Sequence, residues 1–395
     1  MQAESKLNFH FFKINKALPA VIFMILLSEL FFACNKAFAQ TNQPKFTIIK
    51  CGAQFGFIMQ HRNTMGHLVN SHIHGINLDL GFSTHGNALW QYENNFPERG
   101  FSLSYFNLGN PKQLGYLFAL APYYDIPLKS KDCPSRLYMR LAFGAAYLTK
   151  KFDPIENHKN NVMSVGLNGY VNFRWFYRFK LATQNDLELG LNFCHASNAK
   201  FKAPNLGVNI LTLQTVYRIS TSRKSVKMKS DQAVLQIDSS AKPKSKNEIV
   251  LHAAFGINEI EPPGGKKYLA QVYEVSYFRN VRNTHKFGGG IEIINLGATK
   301  DLLWIEDSVK TSGALNTSAI GSKFAYAYVI GRTIIPVEMG VYIKNPYKTD
   351  GLFYHRIGIR YFFKNNLIAS LTLRTHWAVA NHFEIGLGYK FSLKK

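Results

Sequence analysis

Three side chains near the middle of the chain have types and spacing that could do chemistry. In "HASNAKFKAPNLGVN", His195 and Ser197 flank a single residue, and Asn209 closes the stretch. A serine hydroxyl is a poor nucleophile until a base takes its proton, and an imidazole two positions along the same strand face comes within hydrogen-bond reach of it. A third group must hold that imidazole in the tautomer whose second nitrogen is free to act as base. Asn209 can supply a carbonyl oxygen for this task but no negative charge. H-x-S alone is a weak motif, since two polar residues where a strand leaves a bilayer have the same spacing.

These residues need strands to position them. In "NDLELGLNFCHAS" the odd positions Leu187, Leu189, Leu191, Phe193, His195 and Ser197 share one face, with Asp186, Glu188, Asn192 and Cys194 on the other. Side chains alternate across a strand, so His195 and Ser197 lie on the apolar face. "NILTLQTVYRI" places Asn209 with Leu211, Leu213 and Tyr217, across a hairpin from His195. Polar groups at the ends of two lipid-facing stripes are costly unless they sit at the interface or act there.

The same period of two recurs in "TIIKCGAQFGF", "GINLDLGF", "LYMRLAFGAAY", "HRIGIRYFF" and "HFEIGLGYKF", and no long helical period competes with it. Charge and glycine mark one face of these runs, and aromatics gather near the ends of the other. The expected class is therefore all-β, an antiparallel transmembrane β-barrel with lipid outside and every backbone group bonded around a closed sheet. About eight strands fit the region 40–220, a polar linker rich in Ser and Lys occupies 221–247, and about eight more fit 248–395. The second half is expected to close as a second barrel or to merge with the first into one larger barrel. An even strand count puts the linker and both termini on the periplasmic side. The ending "GLGYKF" resembles the assembly signal of outer-membrane barrels, although "SLKK" follows it.

Residues 1–39 read as a signal peptide: Lys6, Lys13 and Lys16 precede "ALPAVIFMILLSELFFAC", and Ala37 and Ala39 take the small positions of a cleavage site. Glu29 interrupts the apolar run, which argues against a spanning helix. The formal net charge is +23. In an exported chain that points to anionic lipid headgroups and away from nucleic acid. Cys51, Cys133 and Cys194 have no short spacing and signal neither a disulfide framework nor a zinc ribbon. His67, His72, His74 and His85 read as interior or loop residues, and neither a metal nor another cofactor is expected. "GGG" at Gly288–Gly290 lacks the context of a phosphate loop.

At His195, Ser197 and Asn198, followed by Pro204, Asn205 and Gly207, the sequence resembles the outer-membrane lipid A 3-O-deacylase family, also called acyloxyacyl hydrolases. "FPERGFSLSYFNLGNPKQLGYLFALAPYYDIPL" and "LAFGAAYLTKKFDP" are similar to the longer, two-part members. The resemblance covers most of residues 45–220 and is weaker beyond. It implies an eight-stranded barrel in the outer membrane and a serine esterase that removes an ester-linked acyl chain from lipid A, the anchor of lipopolysaccharide, or from a related acylated glycolipid. It further implies His195 as general base and Ser197 as nucleophile, with Asn205, or backbone N–H groups from Asn198 to Lys200, stabilising the oxyanion. The family carries a glutamate fourteen residues after the histidine, where this chain has Asn209. The alternative is a non-catalytic barrel, a channel or envelope scaffold, that has kept the family hairpin. His376 lies ten residues after Asn366, as His195 lies ten after Asn185. Its phase sets it opposite Leu367, Leu371 and Leu373, however, and Ala378 stands in the serine position, so the second half is expected to be structural.

Overall fold

The structure, a computed structural model, describes residues 47–128, 136–221, 245–260, 262–307, 317–348, 351–377 and 379–393. The expected signal peptide, most of the expected linker and Cys133 lie outside the described residues.

Strict alternation over ten or more residues gives long strands, and the described strands close into two antiparallel barrels. The first comprises β1 (Ile48–Ile58), β2 (Ile73–Phe82), β3 (Glu98–Asn107), β4 (Tyr116–Pro127), β5 (Leu137–Leu148), β6 (Leu167–Lys180), β7 (Asn185–Ser197) and β8 (Val208–Ser220). The second comprises β9 (Asn247–Glu259), β10 (Lys267–Arg282), β11 (His285–Leu296), β12 (Ser318–Ile330), β13 (Thr333–Lys344), β14 (Phe353–Phe362), β15 (Leu367–His376) and β16 (Val379–Leu393). Pairing of β1 with β8 closes the first, with Ile48 opposite Ser220, and pairing of β9 with β16 closes the second, with Asn247 opposite Leu393. Of the two expected closures, the chain therefore takes two small barrels and not one of sixteen strands.

Outward positions are apolar and open, as a bilayer requires: Leu213, Ile385 and Leu387 are about 70% exposed. Inward positions are charged and buried. An eight-stranded barrel is just wide enough for side chains to fill it, so these charges meet across the lumen. In the first barrel Lys50 lies 2.7 Å from Asp125, 2.9 Å from Glu98 and 3.0 Å from Glu188. Arg140 joins Asp79 to Asp125, Arg174 meets Glu188, Arg178 joins Glu98 to Glu188, and Arg218 joins Glu98 to Asp186. In the second, Arg356 is bonded to Glu274, Glu292, Glu338 and Glu384, with Lys323, Arg360 and Arg374 completing the network. A buried charge is tolerable only when paired and hydrogen-bonded, and here each cation faces at least one carboxylate.

The first barrel divides along its axis. The charge network fills the end nearer Ile48, and an apolar plug of Ile58, Met65, Leu68, Ile73, Phe106, Leu117, Leu148 and Ile210 fills the other. Met65 and Leu68 come from a short 3-10 helix, Asn63–Leu68, in the β1–β2 loop.

The barrels lie side by side. Ile126 and Leu141 of the first are buried against Ile330 and Ile335 of the second, with Trp90, Tyr124, Phe143, Phe173 and Tyr328 packed around them. Leu141 thus belongs to the outward face, as its alternation requires, but meets protein instead of lipid. The seam is pinned at one end by Asn94, whose Oδ1 accepts from Tyr328 Oη at 2.6 Å, and by Asn283 donating to Glu93. At the other end the β9–β10 hairpin meets the loop that follows β7.

Candidate active site

Antiparallel register sets His195 on β7 directly opposite Asn209 on β8. His195 Nδ1 lies 2.6 Å from Asn209 Oδ1, and its Nε2 lies 3.1 Å from Ser197 Oγ. His195, Ser197 and Asn209 are therefore brought together in the order the sequence suggests. Ser197 is only 2% exposed.

A fourth residue, not legible in the sequence, extends the line. His61, from the β1–β2 loop, accepts at Nδ1 from Asn209 Nδ2 at 3.1 Å, and its Nε2 lies 3.0 Å from the carbonyl oxygen of Leu206. These contacts fix one proton arrangement for neutral rings. A carbonyl can only accept, so His61 carries its proton on Nε2 and accepts at Nδ1. Asn209 must then turn its NH2 to His61 and its oxygen to His195. An oxygen facing Nδ1 requires that nitrogen to carry the proton, which leaves Nε2 as the acceptor of the Ser197 hydroxyl. The backbone carbonyl of Leu206 thus sets, through two side chains, the tautomer a general base needs. His61 stands 148 residues from Asn209 in sequence, and no local pattern links them.

The loop from Asn198 to Gly207 frames the serine. Ala199 and Lys200 adopt φ of +50° and +59°, and Gly207 adopts +76°. A Cβ on Gly207 would sit 2.9 Å from His195 Cε1 and 3.2 Å from Ser197 Cβ, so glycine is required there both for its backbone and for close approach. Asn198 is consumed in building the loop: its N–H donates to Asn205 Oδ1 at 2.8 Å, and its Nδ2 donates to Ser164 Oγ and Lys202 O. Asn198, expected with Asn205 to face an oxyanion, thus has its N–H and its amide engaged with Asn205, Ser164 and Lys202. Asn205 is different, since its buried Nδ2 has no hydrogen-bond partner among the described residues.

His72 stacks on Phe55 and His74 lies 3.4 Å from Asn107. His376 points into the second barrel, where its Nε2 lies 2.8 Å from Tyr342 Oη, in keeping with the phase that separates it from the outward face.

Two closed antiparallel barrels with apolar outer faces, one bearing a serine–histidine–amide line at its rim, define a class of membrane-spanning β-barrel. Residues 75–218 match the family model of lipid A 3-O-deacylase (PagL), and residues 247–394 match that of the acyloxyacyl hydrolase C-terminal domain. The two matches together span roughly three quarters of the sequence, and the chain belongs to this lipid A 3-O-deacylase and acyloxyacyl hydrolase family. No curated protein matches it. Among solved structures it is similar to an engineered mutant of the Rhodopseudomonas blastica porin, with 10% identity, TM-score 0.18, and coverage of 87% of this chain and 100% of that one. It is similar also to the NanC porin, with 7% identity, TM-score 0.17 and the same coverage. At such scores the likeness carries no argument about either half.

Proposed function

We propose that the protein is an outer-membrane serine esterase that removes an ester-linked acyl chain from lipid A or a related acylated glycolipid. The observation that carries this reading is the unbroken line Leu206 O, His61, Asn209, His195, Ser197, which holds His195 Nε2 unprotonated against the serine hydroxyl. Ser197 Oγ attacks the acyl carbonyl carbon while its proton passes to His195 Nε2. The developing oxyanion is met by Asn205 Nδ2, a buried donor that has no hydrogen-bond partner among the described residues. Collapse breaks the ester C–O bond, and the departing sugar oxygen takes the proton back from His195. Water then hydrolyses the acyl-serine by the same path in reverse. Asn209 orients the imidazole but supplies no charge to the imidazolium, which a glutamate would do.

The outward placement of the site supports a lipid substrate, because an acyl chain lying against Leu189, Leu191 and Leu213 reaches the rim without leaving the bilayer. The test is mass spectrometry of lipopolysaccharide incubated with purified wild type and with Ser197→Ala. Loss of one acyl chain with the wild type alone is expected. Equal loss from both proteins would sink the serine mechanism, and no loss from either across several lipid A types would favour a non-catalytic scaffold.

A further inference from the structure

The loop between Ser197 and Gly207 is held from two sides, and one of them is the second barrel. Glu259, the last residue of β9, donates its main-chain N–H to Lys200 O at 2.8 Å. Its Oε1 accepts from the N–H of Ala203 at 3.3 Å and from that of Gly264, in its own hairpin, at 2.8 Å. Lys267, the first residue of β10, places its ammonium 3.7 Å from the centre of the Phe201 ring. Glu259 is 4% exposed, so a carboxylate has been withdrawn from water to make these contacts. Main-chain N–H groups are strong partners for such a group, and one left unpaired in a buried place is costly.

The loop carries Asn205, and its hydrogen bond to the N–H of Asn198 ties that residue to the position next to the nucleophile. Within the first barrel the loop is fastened by Asn198 and Ser164, and beyond Asn205 by the N–H groups of Leu206 and Gly207, which donate to Asn161 O at 3.3 Å and Val162 O at 2.9 Å. Those bonds hold the loop at Asn198, Lys202 and its Gly207 end but leave the carbonyl of Lys200 and the N–H of Ala203 to Glu259.

We infer that Glu259 is a positioning residue of the active site: the second barrel acts as a clamp that sets the geometry of the loop bearing Asn205. This inference rests on the esterase reading above. It gives the second half of the chain a part in the reaction although it holds no nucleophile of its own. A displacement near 1 Å at a reacting group costs up to about a hundredfold in rate, so loss of the clamp registers in turnover more than in substrate capture.

The experiment compares full-length wild type, Glu259→Ala, Glu259→Gln and Lys267→Ala, each shown to be folded by heat-modifiable gel mobility. Three readouts are taken: acyl release from lipopolysaccharide, the rate of Ser197 labelling by a fluorophosphonate, and amide hydrogen exchange of residues 198–207. Glu259→Ala is expected to lower kcat about ten- to a hundredfold with KM little changed. It should also speed exchange in the loop and leave the strands of the first barrel protected. Glu259→Gln, whose side-chain carbonyl still accepts both N–H groups, should recover most of the activity. Lys267→Ala should cause a smaller loosening and serves if Glu259→Ala does not fold. Wild-type rates and exchange in Glu259→Ala, or in Lys267→Ala if that variant must decide, would overturn the inference. Should wild type itself neither release acyl chains nor label, the esterase reading fails, and the exchange data then decide the clamp on their own.

Discussion

Replacing His61 by phenylalanine removes the acceptor that keeps the Asn209 amide from turning over. A turned amide would present NH2 to His195 Nδ1, push the ring proton to Nε2 and take away the base. The expected loss is roughly tenfold in single-turnover acylation, the order of one buried hydrogen bond. Asn209→Glu should preserve or raise activity, because a carboxylate has no wrong face and stabilises the imidazolium by charge. In that background His61→Phe should matter little, and the double-mutant cycle measures the coupling. The serine, histidine and amide were legible in the sequence because strand alternation and hairpin distance are local rules. His61 was not, since it reaches the site through a loop anchored by its own bond to Leu206.

At the scale of elements, the β7–β8 hairpin owes its geometry to a backbone that few residues tolerate. Gly207→Ala would force a Cβ against both His195 and Ser197 at φ +76°. The expected result is at least a tenfold fall in Ser197 labelling with the barrel still folded, since the strain, about 1 kcal/mol for an alanine in this region, is local. Labelling at the wild-type rate would mean that the loop shifts freely around the serine. Strand number, inward faces and the hairpin were readable from the period of two. The loop's internal bonding was not, because it depends on Ser164 and on Glu259, which reach it from other parts of the chain.

For the whole molecule, ion pairs fill the second lumen, and ion pairs and an apolar plug fill the first, so purified protein in planar bilayers should show no stepwise conductance. Steady porin-like steps would contradict the packing described. Arg356→Met should lower the melting temperature of the second barrel, because it leaves Glu274, Glu292, Glu338 and Glu384 without their common partner. Breaking such a buried group costs about 3–5 kcal/mol. Whether the halves close separately could not be read from the sequence, since alternation defines faces and not circumference. The ion pairs supply what alternation lacks. Lys50 on β1 reaches Asp125 on β4, and Arg178 on β6 reaches Glu98 on β3, pairs that touch only across a narrow bore. Were β8 to misjoin with β9, the same strands would form a wide cylinder and strand these charges on opposite walls. Charge matching therefore polices the strand count, penalising misclosure before any substrate is met.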